Sequence, residues 1–136
     1  MTQKILAVDD EVLILKILRL HLEAAGYTVI TANNGKEALA ALKQHPDIDC
    51  ILLDRMMPEM DGMETIERIK AAGSPYRHIP VIMQTAKKED WDAYEGIDAG
   101  AIHYMIKPYV RETLLATVES VLRDVQAMRE YYTKSK

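Results

Sequence analysis

The chain of 136 residues, 49% hydrophobic and 28% charged, falls in the range of one globular domain able to bury a substantial core. A net charge of -4 and a pI near 5.6 argue against nucleic acid or an anionic membrane as the main partner, because both demand a concentrated positive surface. The apolar runs fall short of the roughly 20 residues that cross a bilayer, and Met1-Thr2-Gln3-Lys4 lacks the layout of a signal peptide, so a cytoplasmic protein without membrane insertion is expected.

Branched apolar runs at 4–9, 27–32, 48–54, 79–85 and 101–106 read as strands, with helical stretches between them. Residues 12–25 place Leu15, Ile17, Leu18, Leu20 and Leu22 around a helix that ends at Gly26, a residue suited to a left-handed cap. Asn34 is a candidate N-cap for a second helix over 35–45, with Ala38, Leu39 and Leu42 as its buried stripe and Pro46 preventing its continuation. Cys50, the only cysteine, excludes an internal disulfide and reads as a small buried hydrophobe among Ile48, Ile51 and Leu52.

Asp61-Gly62 supplies a turn, where glycine permits a positive φ, ahead of a third helix over 63–72 that Gly73 stops. The fourth helix, 89–98, is the weakest: Trp91, Tyr94 and Ile97 add little propensity, and Gly96 costs about 1 kcal/mol against alanine. Trp91 and Tyr94, beside Lys87 and Lys88, read either as part of a partner surface or as side chains buried on the sheet. The last helix runs from about Arg111 to Tyr132, with Leu114, Val118, Val121, Val125, Met128 and Tyr132 at alternating spacings of four and three.

Strand and helix alternate five times, which implies right-handed crossovers and a parallel sheet covered on both faces. The expected fold is α/β: a three-layer, doubly wound, five-stranded parallel sheet with five helices, the last extended. Ligands in such folds sit outside the carboxyl ends of the strands, where strand order reverses. With the order 2-1-3-4-5, that rule brings Asp9 and Asp10, Asp54, Thr85 and Lys107 around one crevice. A carboxylate nucleophile, two further acids for a divalent cation, a hydroxyl and a lysine are what a phosphoryl group needs to be accepted and held. Two carboxylates 4 Å apart repel by roughly 4 kcal/mol at an effective dielectric near 20, and a divalent cation resolves that repulsion.

Val8-Asp9-Asp10-Glu11, Asp54-Arg55-Met56-Met57-Pro58-Glu59-Met60-Asp61-Gly62, Thr85-Ala86, Ala99-Gly100-Ala101 and Tyr104-Met105-Ile106-Lys107-Pro108 together resemble the receiver domains of bacterial two-component response regulators, including the chemotaxis response regulator. The resemblance covers about residues 3–123 and implies a flavodoxin-like receiver domain over 1–123. It implies Asp54 as the phosphoacceptor for a histidine kinase or phosphotransfer protein, with Mg2+ (or Mn2+) held by Asp10, Asp54, the Met56 carbonyl and, through water, Asp9. Lys107 and Thr85 would contact phosphoryl oxygens, and Pro108 would follow a cis peptide that aims the lysine. Thr85 and Tyr104 would form the switch that alters the face of the fourth helix, fifth strand and last helix. Reversing a 99:1 equilibrium takes about 5.5 kcal/mol of differential stabilisation, the scale of a few charge-assisted hydrogen bonds.

Each residue alone has a plainer reading: Asp10 as a cap of the first helix, Thr85 as a strand residue, Lys107 as a surface charge. His21, His45, His78 and His103 lack metal-ligand spacing, and Met56, Met57, Met60 and Met63 read mainly as core filling. Ile102-His103 replaces the acidic pair often seen in the resembled family before its switch aromatic. Residues 124–136 form a helical extension, a homodimer contact or a link to an output domain absent from this chain. A turnover phosphatase of the haloacid dehalogenase kind normally needs a second aspartate where Met56 stands, so self-phosphorylation and self-dephosphorylation rather than enzymatic turnover are expected. The alternative is a phosphorylation-independent scaffold of the same fold.

Overall fold

The structure is a computed structural model that describes residues 2–57, 59–85 and 100–134. Five parallel strands form one sheet in the order β2-β1-β3-β4-β5: β1 (Lys4–Val8), β2 (Thr28–Ala32), β3 (Cys50–Asp54), β4 (Val81–Thr85) and β5 (His103–Ile106). Four helices lie among the described residues: α1 (Val12–Ala24), α2 (Gly35–Gln44), α3 (Gly62–Lys70) and α4 (Arg111–Lys134). The helix expected over 89–98, with Trp91, Tyr94, Lys87 and Lys88, lies outside the described residues, as do Pro58, Ala86, Ala99 and the side chain of Tyr132.

The strands alternate between two cores, as a sheet covered on both faces requires. Leu6, Val8, Ile51, Leu53, Val81 and Met83 pack toward α2 and α3 against Ala38, Leu42, Ile66 and Ile69. Ile5, Ala7, Cys50, Leu52 and Ile82 pack toward α1 and α4 against Leu15, Leu18, Leu22, Leu114, Val118 and Val121. Cys50 is fully buried, and burial pushes its thiol up to about 12, which fits the small-hydrophobe reading. Met57 and Met60 are buried and Met63 packs on the first core, whereas Met56 is 63% exposed.

The helix ends follow local chemistry. Asn34 caps α2, its side chain accepting from the Glu37 amide at 2.9 Å, while the Glu37 carboxylate accepts from the amide of Asn33, one residue before the cap, at 3.0 Å. Asp61 caps α3 in the same way, accepting from the Glu64 amide at 2.9 Å. Gly26 adopts φ +99 after α1, as a left-handed cap requires. Asp10 does not cap α1. Glu11 holds the N-cap position without a side-chain bond, and its amide donates instead to Asp9 Oδ1 at 2.9 Å.

Gly62 corrects a sequence expectation. It is not among the positive-φ residues, and the loop before it takes its left-handed turn at Glu59, with φ 67. Glycine is required at 62 by contact: a Cβ there would stand 2.4 Å from the Asp54 carbonyl oxygen and 2.7 Å from Arg55 Cα. The start of α3 therefore sits directly on the end of β3, and the Gly62 amide donates to the Arg55 carbonyl at 2.8 Å.

Urea unfolding should show Gly62→Ala destabilised by about 2–3 kcal/mol through overpacking. Gly26→Ala, with nothing within 4 Å of its Cβ, should lose about 1 kcal/mol from backbone strain alone. A smaller loss at Gly62 than at Gly26 would contradict the contact.

Candidate functional site

The carboxyl ends of β1, β3, β4 and β5 converge as the strand order requires. Asp9 follows the last residue of β1, with its amide bonded to the Ala32 carbonyl at 3.1 Å, and is fully buried. Asp54 ends β3 and is 6% exposed, Thr85 ends β4 and is buried, and Asp10 is exposed at the rim. Carboxylate oxygens of Asp9, Asp10 and Asp54 all lie within 4.8 Å of one another.

Lys107 enters this cluster from the loop after β5. Its Nζ stands 2.6 Å from Asp9 Oδ2 and 3.3 Å from Asp54 Oδ1, and the Lys107–Pro108 peptide is cis. The Lys107 amide donates to the Thr85 carbonyl at 2.6 Å, so the lysine is anchored to the residue at the end of β4. Four of the five residues expected at the crevice, Asp9, Asp10, Asp54 and Lys107, thus share one polar cluster, and the fifth, Thr85, joins its backbone. No histidine belongs to a metal-ligating group among the described residues. Tyr104 is half-buried against the α2/α3-side core, and His103 and Ile102 are exposed.

The charges are imperfectly balanced. Burial and then the neighbouring Asp9 charge push Asp54 up to about 6, although Lys107 pulls it down. Burial works against the Lys107 ammonium, but its bond to Asp9 and the charge of Asp54 outweigh it and raise its pKa. Three acids facing one lysine form an oxygen-rich, anion-excess site, the donor set that suits a hard divalent cation such as Mg2+ or Mn2+. Asp9, Asp10 and Asp54 are the side chains able to hold one.

Two residues at the edge of the site escaped the sequence reading. Gln84, fully buried next to Thr85, accepts a hydrogen bond from the Tyr109 hydroxyl, and Tyr109 follows Lys107-Pro108. The available signal was Gln84 itself, a polar side chain inside the otherwise apolar run Val81-Ile82-Met83. Beside them, Ile14, Ile17, Leu18, His21, Pro108 and Leu114 contribute to a groove of about 230 Å³ between α1 and the start of α4.

Residues 5–119 match the family model described as the response regulator receiver domain. The chain is 41% identical over 124 residues to the alkaline phosphatase synthesis transcriptional regulatory protein PhoP of Bacillus subtilis, covering 90% of this chain and 50% of that protein. It is 36% identical over 127 residues to the transcriptional regulatory protein SrrA of Staphylococcus aureus, covering 93% of this chain and 51% of that protein. The chain spans about half the length of these curated relatives. Among solved structures, the chemotaxis protein CheY4 of Vibrio cholerae superposes with a TM-score of 0.81 at 36% identity, over 89% of this chain and 99% of that one. NtrX of Brucella abortus gives 0.89 at 27% identity, over 98% of this chain and 29% of its own. The chain belongs to the response regulator receiver domain family of two-component signalling systems.

Proposed function

We propose that this chain is a phosphorylation-controlled switch whose phosphoacceptor is Asp54. The observation that carries the proposal is the juxtaposition of a buried carboxylate, two neighbouring acids and a lysine ammonium 3.3 Å from that carboxylate. An Asp54 oxygen attacks the phosphorus of a phosphohistidine on a histidine kinase or phosphotransfer protein. The oxygen–phosphorus bond forms as the phosphorus–nitrogen bond breaks, and the imidazole leaves. Lys107 is placed to exchange its contact with Asp54 for one with a phosphoryl oxygen, and Thr85 to donate its hydroxyl to another. Mg2+ held by Asp9, Asp10, Asp54 and the Met56 carbonyl would offset the charge of the acids and the incoming group.

The new contacts at Thr85 and Lys107 exist only with phosphate bound, so they bias the chain toward a state in which Thr85 and the half-buried Tyr104 are rearranged. The chemistry is self-phosphorylation and self-dephosphorylation of one acyl phosphate rather than turnover of free substrates. Residues 1–123 form the receiver, and 124–136 carry the signal to a second copy or to an output domain such as the relatives' regulatory role implies.

Incubation with acetyl phosphate and Mg2+ should add one phosphoryl group to the wild type by intact mass, labile to hydroxylamine, and none to Asp54→Asn. An equal adduct on Asp54→Asn excludes the assignment. Unchanged partner binding and oligomeric state after phosphorylation would favour the scaffold alternative.

The site also fixes a pH dependence. Asp54 titrates near 6 in the folded protein against an ordinary value of 3.8, so the folded state holds its proton more tightly than the unfolded chain. Its contribution to stability is greatest below about 4 and is lost as pH rises through about 6. In metal-free buffer at pH 7.5, Asp54→Asn should therefore melt roughly 3–6 °C above the wild type, about 1 kcal/mol, and the gap should close toward pH 4. Saturating Mg2+ should raise the wild-type Tm more than that of Asp54→Asn.

A protein donor is supported by the outer face of α1, the helix that starts three residues after Asp9, where Leu13 is 68%, Ile17 41% and Leu20 67% exposed. Ile17→Glu/Leu20→Glu should slow phosphoryl transfer from a cognate kinase at least several-fold while leaving the acetyl phosphate reaction unaltered. Equal slowing of both reactions would exclude a docking role for this face.

A further inference from the structure

Gln84 is fully buried in a strand whose five residues are all buried, and in the parallel register it stands beside Asp54. Three bonds meet at Gln84 and its neighbour. The Gln84 carbonyl accepts the amide of Arg55, the residue after Asp54, at 2.8 Å, and its side-chain Oε1 accepts the Tyr109 hydroxyl. The carbonyl of the next residue, Thr85, accepts the Lys107 amide at 2.6 Å. Consecutive residues of β4 thus grip the turn Lys107-Pro108-Tyr109 at both ends, and the first of them also grips the peptide that follows Asp54.

We infer that Gln84 and Tyr109 are a positioning pair that sets how Lys107 reaches toward Asp54. The inference rests on the reading of Asp54 as the phosphoacceptor. Polarity at this place is not explained by stability, because Gln84 Nε2 is buried without a partner among the described residues. A matched apolar pair would avoid that orphaned donor. The hydroxyl also lies within the field of the reacting carboxylates: burial, then the charges of Asp9 and Asp54, hold the Tyr109 phenol well above its ordinary range, so it stays protonated and able to donate. Tyr109 packs against the core shared by α1 and α4, so its ring fixes one end of the tie and Gln84 the other.

Two variants separate positioning from packing. Tyr109→Phe removes only the hydroxyl, whereas Gln84→Leu/Tyr109→Phe removes the tie and the orphaned amide together, so the double variant should melt at or above the wild-type temperature. With acetyl phosphate as donor and intact mass as readout, both should phosphorylate roughly ten-fold more slowly than wild type at saturating Mg2+. The Mg2+ concentration for half-maximal rate should be unchanged, since the acids are untouched. A wild-type rate in Tyr109→Phe, or a double variant that regains rate along with stability, overturns the inference alone. Wild-type protein that acquires no phosphoryl group at Asp54 overturns the phosphoacceptor reading and this inference with it.

Discussion

The structure depends on one ammonium shared between two buried carboxylates. Lys107 Nζ at 2.6 Å from Asp9 and 3.3 Å from Asp54 closes a contact between residues at opposite ends of the sequence, tying the last strand to the first and third. Without that cation, Asp9 and Asp54 would be like charges in a poorly solvated place, where removing one member of a buried pair costs several kcal/mol. With it the three acids still outnumber the one lysine, and burial, then the Asp9 charge, keep the Asp54 carboxyl above its ordinary range. An ion arrangement that one lysine only partly satisfies is receptive to further charge rearrangement, and the proposed reaction exploits this by supplying both a cation and an anion.

The parallel sheet makes this arrangement achievable at modest energetic cost. Every strand but the outer β2 ends at the crevice with a polar residue or feeds a loop that carries one, while the buried lengths of β3 and β4 are otherwise apolar apart from Gln84. Chemistry is confined to the strand ends because the sheet is covered on both faces, where an unpaired polar group would be costly. Gln84 is the exception within the buried lengths, and it adjoins the site.

Much of this was legible in the sequence for a physical reason: a buried parallel strand writes itself as a continuous apolar run, so the first polar residue after the run marks the carboxyl end. Asp9 and Asp54 stand at such ends, and the strand order places them together with Thr85, which follows the polar Gln84 at the end of its own run. Contact requirements were not legible. Gly62 looks the same in sequence whether it serves a positive φ or a close approach, and only the positions of the Asp54 carbonyl and Arg55 Cα distinguish the two. Asp10 reads in the sequence as a cap of the first helix, but the fold gives the Glu11 amide to Asp9 and leaves Asp10 at the rim. The Gln84–Tyr109 bond spans 25 positions and joins residues that no periodicity relates.

The C-terminal helix shows where the domain's own stabilisation stops. At 24 residues, α4 is about 36 Å long, against about 17 Å for a five-residue strand of the sheet it covers. Leu114, Val118, Val121 and Leu122 are buried by α1 and the sheet, Val125 is half-buried, and Met128 and Tyr131 are 56% and 67% exposed. The apolar spacing thus continues after the surface that rewards it has ended. A helix of this kind is rigid where it is packed and depends on propensity and side-chain pairs where it is not, because isolated helical turns are marginal in water.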